Sequence, residues 1–143
     1  MVNPKTKVIL FQVNSPQEKI KKIVEVASKH ASEKHPLVIM TPSKKAADYI
    51  DNLLWSAPKM SFLPHKIVKE NLVKHIEYVY ISYEEDTICG SRAIFNLRDT
   101  PPSSMDSFTT IYDFEDYTSE DKKKLFEKRY KNYLDAKLHL ISL

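Results

Sequence analysis

The sequence is poor in glycine and cysteine, and both shortages exclude kinds of site. One glycine, Gly90, and one cysteine, Cys89, occur among the 143 residues. A lone cysteine can form no intramolecular disulfide and has no second thiolate beside which to hold a metal. The first strand-to-helix turn, residues 14–17, contains no glycine. The chain therefore has neither a dinucleotide-binding fingerprint nor a P-loop there.

Long apolar runs and metal-ligand spacings are also missing. No run approaches the roughly 20 apolar residues that span a bilayer, and residues 1–7 lack the pattern of a signal peptide. The five histidines are scattered without ligand spacing: His30, His35, His65, His75 and His139. We therefore expect a cytoplasmic protein with no membrane partner, no metal, no cofactor and no catalytic residue.

The net charge is small, but charge is unevenly distributed. The formal value is +3, too mild to indicate nucleic-acid binding by itself. Near the C-terminus an acidic block precedes a basic run: Asp113, Glu115, Asp116, Glu120 and Asp121, then Lys122, Lys123, Lys124, Lys128, Arg129 and Lys131. Acids at the start of a helix and bases further along suit the helix dipole, so this pattern fits either helix electrostatics or a binding surface.

Hydrophobic periodicity predicts alternating strands and helices. Residues 8–13 form a strand-length apolar run, and Ser15, Pro16 and Glu18 have the form of a capping box that opens a helix ending at Pro36. Residues 37–40 form a second buried strand. This βαβ unit predicts a right-handed crossover between parallel strands.

The remaining segments extend the same pattern. A second helix runs to Trp55, residues 60–63 form a short extended segment, and residues 67–74 form a loop. Three further strands cover residues 78–82, 92–98 and 108–114. A last helix runs from residue 118 or 119 to 136, and residues 138–143 form an extended tail. We predict one domain over residues 1–143. Its fold class is α/β, with three layers, a mixed sheet and helices on both faces.

Residues 53–65 hold the only tryptophan and a sharp change of direction. Pro58 stops the helix that Trp55 ends, because proline removes a backbone donor. Phe62 follows and has two possible roles. It is either a core residue of a strand or an exposed anchor for a partner chain.

Three blocks of the chain, in the same order, resemble the chi subunit family of bacterial DNA polymerase III. The first is Trp55 with Pro58, Phe62 and the Pro64-His65 pair; the second joins residues 93–98 to 110–114; the third is Arg129-Tyr130-Lys131-Asn132-Tyr133. The resemblance implies an α/β clamp-loader accessory protein of DNA replication. It also implies no catalytic activity of its own.

The resemblance implies two binding sites for proteins. Phe62 matches the region that engages the psi subunit of the clamp loader. Lys123, Arg129, Tyr130 and Lys131 match the surface that takes the acidic C-terminal tail of single-stranded DNA-binding protein. DNA would then be reached indirectly, through these partners.

Glu127 departs from the family pattern. The family has a basic residue at this position, and a carboxylate there repels an acidic ligand unless Lys124 or Lys128 compensates. A second hypothesis therefore stays open, in which the chain binds single-stranded nucleic acid directly. In that case lysines of the last helix meet phosphates while Tyr130 or Tyr133 stacks on a base.

Overall fold

The computed structural model describes residues 6–56, 65–68, 78–84 and 91–143. Helices and strands alternate over much of this length. They are β1 (Lys7–Val13), α1 (Pro16–Glu33), β2 (Leu37–Met40), α2 (Lys44–Ser56), β3 (His65–Val68), β4 (Val79–Ser82), β5 (Ala93–Asn96), a 3-10 helix (Met105–Ser107), β6 (Thr110–Asp116), α3 (Glu120–Asp135) and β7 (His139–Ser142).

The described strands form one sheet in the order β3-β4-β2-β5-β6-β1-β7. Every pair among them is parallel, whereas the sequence analysis predicted a mixed sheet. The connections explain the difference. Helices α1, α2 and α3 each carry the chain back to the end of the sheet where the preceding strand began, and so does the long connection between β5 and β6.

Two apolar clusters confirm the predicted three layers. On one face of the sheet, Ile23 and Ala27 of α1 and Ile50 of α2 pack in a core cluster with side chains of β1, β2 and β6. On the other face, Phe126 and Tyr133 of α3 pack with side chains of β1, β2 and β6 that point the opposite way. The interior strand β2 is buried along its whole length, as expected for a strand covered on both faces.

The predicted capping of α1 is confirmed. Ser15 Oγ accepts a hydrogen bond from the Glu18 amide at 3.2 Å, while Glu18 Oε2 accepts one from the Asn14 amide at 3.1 Å. The helix ends at Glu33, and its C-cap residue Lys34 adopts the left-handed conformation with φ 58°. It therefore stops before Pro36 is reached.

One segment differs from its predicted form. Residues 65–68 form β3, at one edge of the sheet, although residues 67–74 were predicted to be a loop. The extended tail predicted for residues 138–143 forms β7, which pairs with β1 at the opposite edge. Phe62, Cys89 and Gly90 lie outside the described residues, as does the predicted extended segment 60–63.

None of the helices that the structure describes is long and apolar enough to span a membrane. Within the same ranges, no three histidine, cysteine or carboxylate side chains lie close enough together to hold a metal ion.

Candidate functional site

The helix α3 begins where the charge along the chain reverses. Ser119 is its N-cap, and its Oγ accepts a hydrogen bond from the Lys122 amide at 3.1 Å. Glu120 and Asp121 occupy the first turn, where negative charge is favoured by the helix dipole. Part of the acidic block therefore serves to start α3, as one of the two sequence interpretations proposed.

The inner face of α3 is fixed by a buried ion pair. Arg129 Nε donates to Asp113 Oδ2 of β6 at 3.0 Å, and both side chains are almost excluded from solvent. The two other guanidinium nitrogens donate to the backbone oxygens of Phe114, at 3.2 Å, and Asp99, at 3.4 Å. One arginine thus ties the middle of the helix to β6 and to the loop after β5.

Tyr133 completes this anchor one helical turn further on. Its hydroxyl donates to Asp113 Oδ2 at 2.6 Å, and the Phe114 amide donates to Asp113 Oδ1 at 2.8 Å. Burial, together with the neighbouring Asp113 charge, raises the pKa of Tyr133 well above its ordinary value. Burial also raises the pKa of the Asp113 carboxyl, against the charge and hydrogen bonds of Arg129 and Tyr133.

The structure separates the four residues predicted to bind an acidic tail into two groups. Arg129 is 5% exposed and belongs to the anchor of α3. Tyr130 and Lys131 are exposed, and Lys123 is half-buried. The motif Arg129-Tyr130-Lys131 therefore turns its arginine inward and its next two residues outward.

Lys123 and Tyr130 lie on one side of the helix, because residues seven apart share a face. The Tyr130 ring centroid lies 5.8 Å from that of Phe126, so one edge of the ring rests on the core. Leu134, one turn beyond Tyr130, is 50% exposed. We call Lys123, Tyr130, Lys131 and Leu134 the outer surface of α3. It combines basic side chains with exposed apolar area.

Two glutamates lie on the α3 side of the sheet. Glu127 is exposed on α3 between Lys123 and Lys131. Tyr117 donates to Glu115 Oε2 at 2.6 Å, and the pKa of Tyr117 is raised by this hydrogen bond, by desolvation and by the charges of Glu115 and Glu127. The two glutamates are therefore near enough to act on the same ring.

Sequence reasoning identified Glu127 as a carboxylate that opposes an acidic ligand, and it named Glu115 only as part of the acidic block. A signal was present, because Glu115 lies two residues after Asp113 on β6, and alternate residues of a strand face the same side of the sheet. Asp113 faces α3, so Glu115 faces that layer as well.

The other predicted binding residue, Phe62, lies outside the described residues. Of the sequence block 53–65 that contains Phe62, the structure describes Trp55, which is 52% exposed on α2, and His65. The Trp55 and His65 ring centroids are 4.2 Å apart, so the end of α2 contacts the first residue of β3.

Comparison with known proteins gives the same family by two routes. A family model described as DNA polymerase III chi subunit, HolC, matches residues 6–140. The chain is also 28% identical over 119 residues to a protein named DNA polymerase III subunit chi from Escherichia coli (strain K12). That alignment covers 82% of this chain and 80% of the relative.

Proposed function

Because this chain belongs to the DNA polymerase III chi subunit family, whose members are accessory proteins of replication, we propose that it is a non-catalytic adaptor between two other proteins. One partner is a psi-type subunit of the clamp loader. The other is the acidic C-terminal tail of single-stranded DNA-binding protein. The adaptor acts in the cytoplasm and needs no cofactor.

The outer surface of α3 is the observation that supports tail binding. Ammonium groups of Lys123 and Lys131 can form charge-assisted hydrogen bonds with carboxylates. The exposed ring of Tyr130, with Leu134 beside it, can pack against an apolar side chain. Basic side chains next to exposed apolar area suit a peptide that is both acidic and apolar.

Arg129 supports this surface without facing the ligand. Its guanidinium is used by Asp113 and by two backbone oxygens, which hold α3 on the sheet. The helix therefore presents Tyr130 and Lys131 in a fixed position. Fixed side chains lose less conformational entropy when a ligand binds.

Glu115 and Glu127 limit the affinity for an acidic ligand. Glu127 lies between Lys123 and Lys131 on α3, and Glu115 lies on the side of the sheet that faces α3. Ion pairs at exposed sites give roughly 0–1 kcal/mol each. We therefore expect modest affinity that decreases as the salt concentration rises.

A second candidate function is direct binding of single-stranded nucleic acid. The same exposed Tyr130 ring can stack on a base while lysines of α3 meet phosphates. Glu115 and Glu127 oppose phosphates as they oppose carboxylates. The aromatic-basic combination alone does not separate the two functions, so a binding comparison decides between them.

A pull-down from the organism's own lysate, read by mass spectrometry, tests the adaptor function. Intact protein, Phe62→Ala and Lys131→Ala serve as baits. We expect the intact protein to retain clamp-loader subunits and single-stranded DNA-binding protein. Phe62→Ala should lose the clamp-loader subunits, and Lys131→Ala should lose single-stranded DNA-binding protein. If both variants retain both partners, the proposal is contradicted.

A further inference from the structure

A cavity of about 270 Å³ opens at the carboxyl ends of β5 and β6, apart from the outer surface of α3. Its apolar walls come from the first turns of α1, from α2 and from the segment after β5, with Ile20, Tyr49 and Leu97 among them. Tyr49 is 57% exposed, so its ring borders the mouth of the cavity. Ligands of open parallel sheets commonly bind at this end of the strands.

The ionised side chains that line the cavity are almost completely paired with one another. Three carboxylates occur there, and each has a basic partner. The pairs are Asp99 with Lys122 at 3.2 Å, Asp113 with Arg129 at 3.0 Å, and Asp116 with Lys19 at 2.5 Å.

Arg98 is the fourth basic side chain of this cavity. Its backbone amide donates to Asn96 Oδ1 at 3.2 Å. Its guanidinium makes no hydrogen bond or ion pair with any other residue in the part of the chain that the structure describes. The cavity therefore carries one excess positive charge, located on Arg98.

One positive charge beside a small apolar cavity defines a narrow class of ligand. Single-stranded nucleic acid is bound by grooves that carry several cations along a backbone, whereas three of the four cations here are already used by carboxylates. A single carboxylate next to a large apolar side chain complements both features. Aromatic residues at the edge of a pocket, such as Tyr49, are frequent energetic centres of protein interfaces.

We propose that this cavity, which we call the Arg98 pocket, binds an acidic peptide segment of a partner protein. One large apolar side chain enters between α1 and α2, and the carboxylate of the adjacent residue pairs with Arg98. The inference rests on the proposed role as an adaptor. It adds a second peptide-binding site, because Lys123, Tyr130 and Lys131 are not among the residues that line the Arg98 pocket.

A short blocked peptide tests this site without reaching the outer surface of α3. The probe is acetyl-Gly-Asp-Phe-amide, and the matched control is acetyl-Gly-Asn-Phe-amide, which lacks the carboxylate. Amide chemical shifts of the full-length protein, measured during titration at low salt, report where the probe binds. We expect the largest changes at Tyr49, Leu97 and Arg98, and weaker binding of the asparagine control.

Two variants of Arg98 and one control variant, Lys131→Ala, give the readout. Arg98→Gln should weaken probe binding roughly three- to five-fold, the loss expected for one partly exposed ion pair, whereas Arg98→Lys should retain part of the affinity. The melting temperature of Arg98→Gln should stay unchanged, since this side chain has no partner among the described residues. Lys131→Ala should bind the probe as the intact protein does.

The proposal is overturned if Arg98→Gln binds the probe unchanged, or if the shift changes map to the outer surface of α3. It is also overturned if oligothymidylate produces the changes at the Arg98 pocket and the peptide does not. The proposed function fails separately. If a longer acidic peptide with a free C-terminal carboxylate binds Lys131→Ala as tightly as it binds the intact protein, tail binding is refuted. This result does not depend on how the short probe binds.

Discussion

Asp113 of β6 and Arg129 of α3 form an ion pair with 3.0 Å between Oδ2 and Nε, and the two side chains are 2% and 6% exposed. This pair connects the sheet to the helix that carries the outer surface. Tyr130 and Lys131 follow Arg129 directly in the chain. Their position therefore depends on a contact that lies entirely in the interior.

Asp113→Ala should strongly destabilise the protein. The substitution leaves the Arg129 guanidinium buried without its carboxylate, which typically costs about 3–5 kcal/mol. Urea denaturation measures the free energy of unfolding. The matched control is Asp99→Ala, which removes the exposed partner of Lys122 and should cost less than about 1 kcal/mol. Equal losses for the two variants would show that the buried pair does not anchor α3.

Stability should fall in mildly acidic solution because of His30. His30 Nδ1 lies 3.0 Å from the His35 carbonyl, to which it donates, so Nε2 is left to accept from the Tyr112 hydroxyl at 2.8 Å. Burial lowers the pKa of His30 below its ordinary value of 6.5. Below pH 6.5 the unfolded chain therefore binds a proton that the folded chain does not.

The resulting loss of stability begins as the pH falls through 6.5 and continues down to the lowered pKa of the folded state. Its slope is at most about 1.4 kcal/mol per pH unit for one proton. Urea denaturation at pH 7.5, 6.5 and 5.5 measures it. His30→Gln should show a shallower decrease than the intact protein, and parallel pH profiles would rule out His30 as the source.

Glu127→Arg should strengthen binding of an acidic peptide. The substitution replaces a repelling carboxylate between Lys123 and Lys131 by a third basic group. The expected gain is up to about 1 kcal/mol per exposed charge contact, and it should shrink at high salt. Fluorescence anisotropy of a labelled peptide measures the affinity.

Glu25→Arg provides the control for that experiment. Glu25 is exposed on α1, where it pairs with Lys22 at 3.3 Å, and the substitution changes the net charge of the protein by the same amount. If Glu25→Arg strengthens binding as much as Glu127→Arg does, the effect is one of total charge and the outer surface of α3 is not the site.

Phe62→Ala should disrupt association with the clamp loader and leave the fold intact. An exposed aromatic anchor can contribute about 2 kcal/mol or more to binding. A core phenylalanine would instead lose roughly 3–5 kcal/mol of stability on truncation. Thermal unfolding of the variant separates the two roles. A large decrease in melting temperature would identify Phe62 as a core residue.

Local signals in the sequence were sufficient to predict most of the described helices and strands. Ser15 predicted the start of α1, because a side-chain oxygen at the N-cap satisfies a free amide. The start of α3 was predicted at residue 118 or 119, and the structure shows Ser119 as the N-cap. Strand β3 was missed because its four residues, His65–Val68, are too few to show a hydrophobic period. Its existence depends on pairing with β4, which is a long-range contact.

The site was predicted in part for a similar reason. The family resemblance selected Arg129, Tyr130 and Lys131 together, although their side chains point in different directions. Arg129 is buried because it pairs with Asp113 of β6, and the sequence alone does not show this contact. The Arg98 pocket was not predicted at all, since Tyr49, Arg98 and Lys122 are distant in sequence and meet only in the folded chain.

The most direct test of the adaptor account compares two classes of ligand, an acidic peptide and an oligonucleotide, on the same protein. An acidic peptide with a free C-terminal carboxylate after an apolar last residue, its amidated form, and a single-stranded oligonucleotide are titrated in parallel by anisotropy. The account predicts that the free-acid peptide binds, that amidation weakens it, that Lys131→Ala weakens it further, and that the oligonucleotide binds least. Tight binding of the oligonucleotide, together with a peptide affinity that neither amidation nor Lys131→Ala changes, would contradict the account and favour direct nucleic-acid binding.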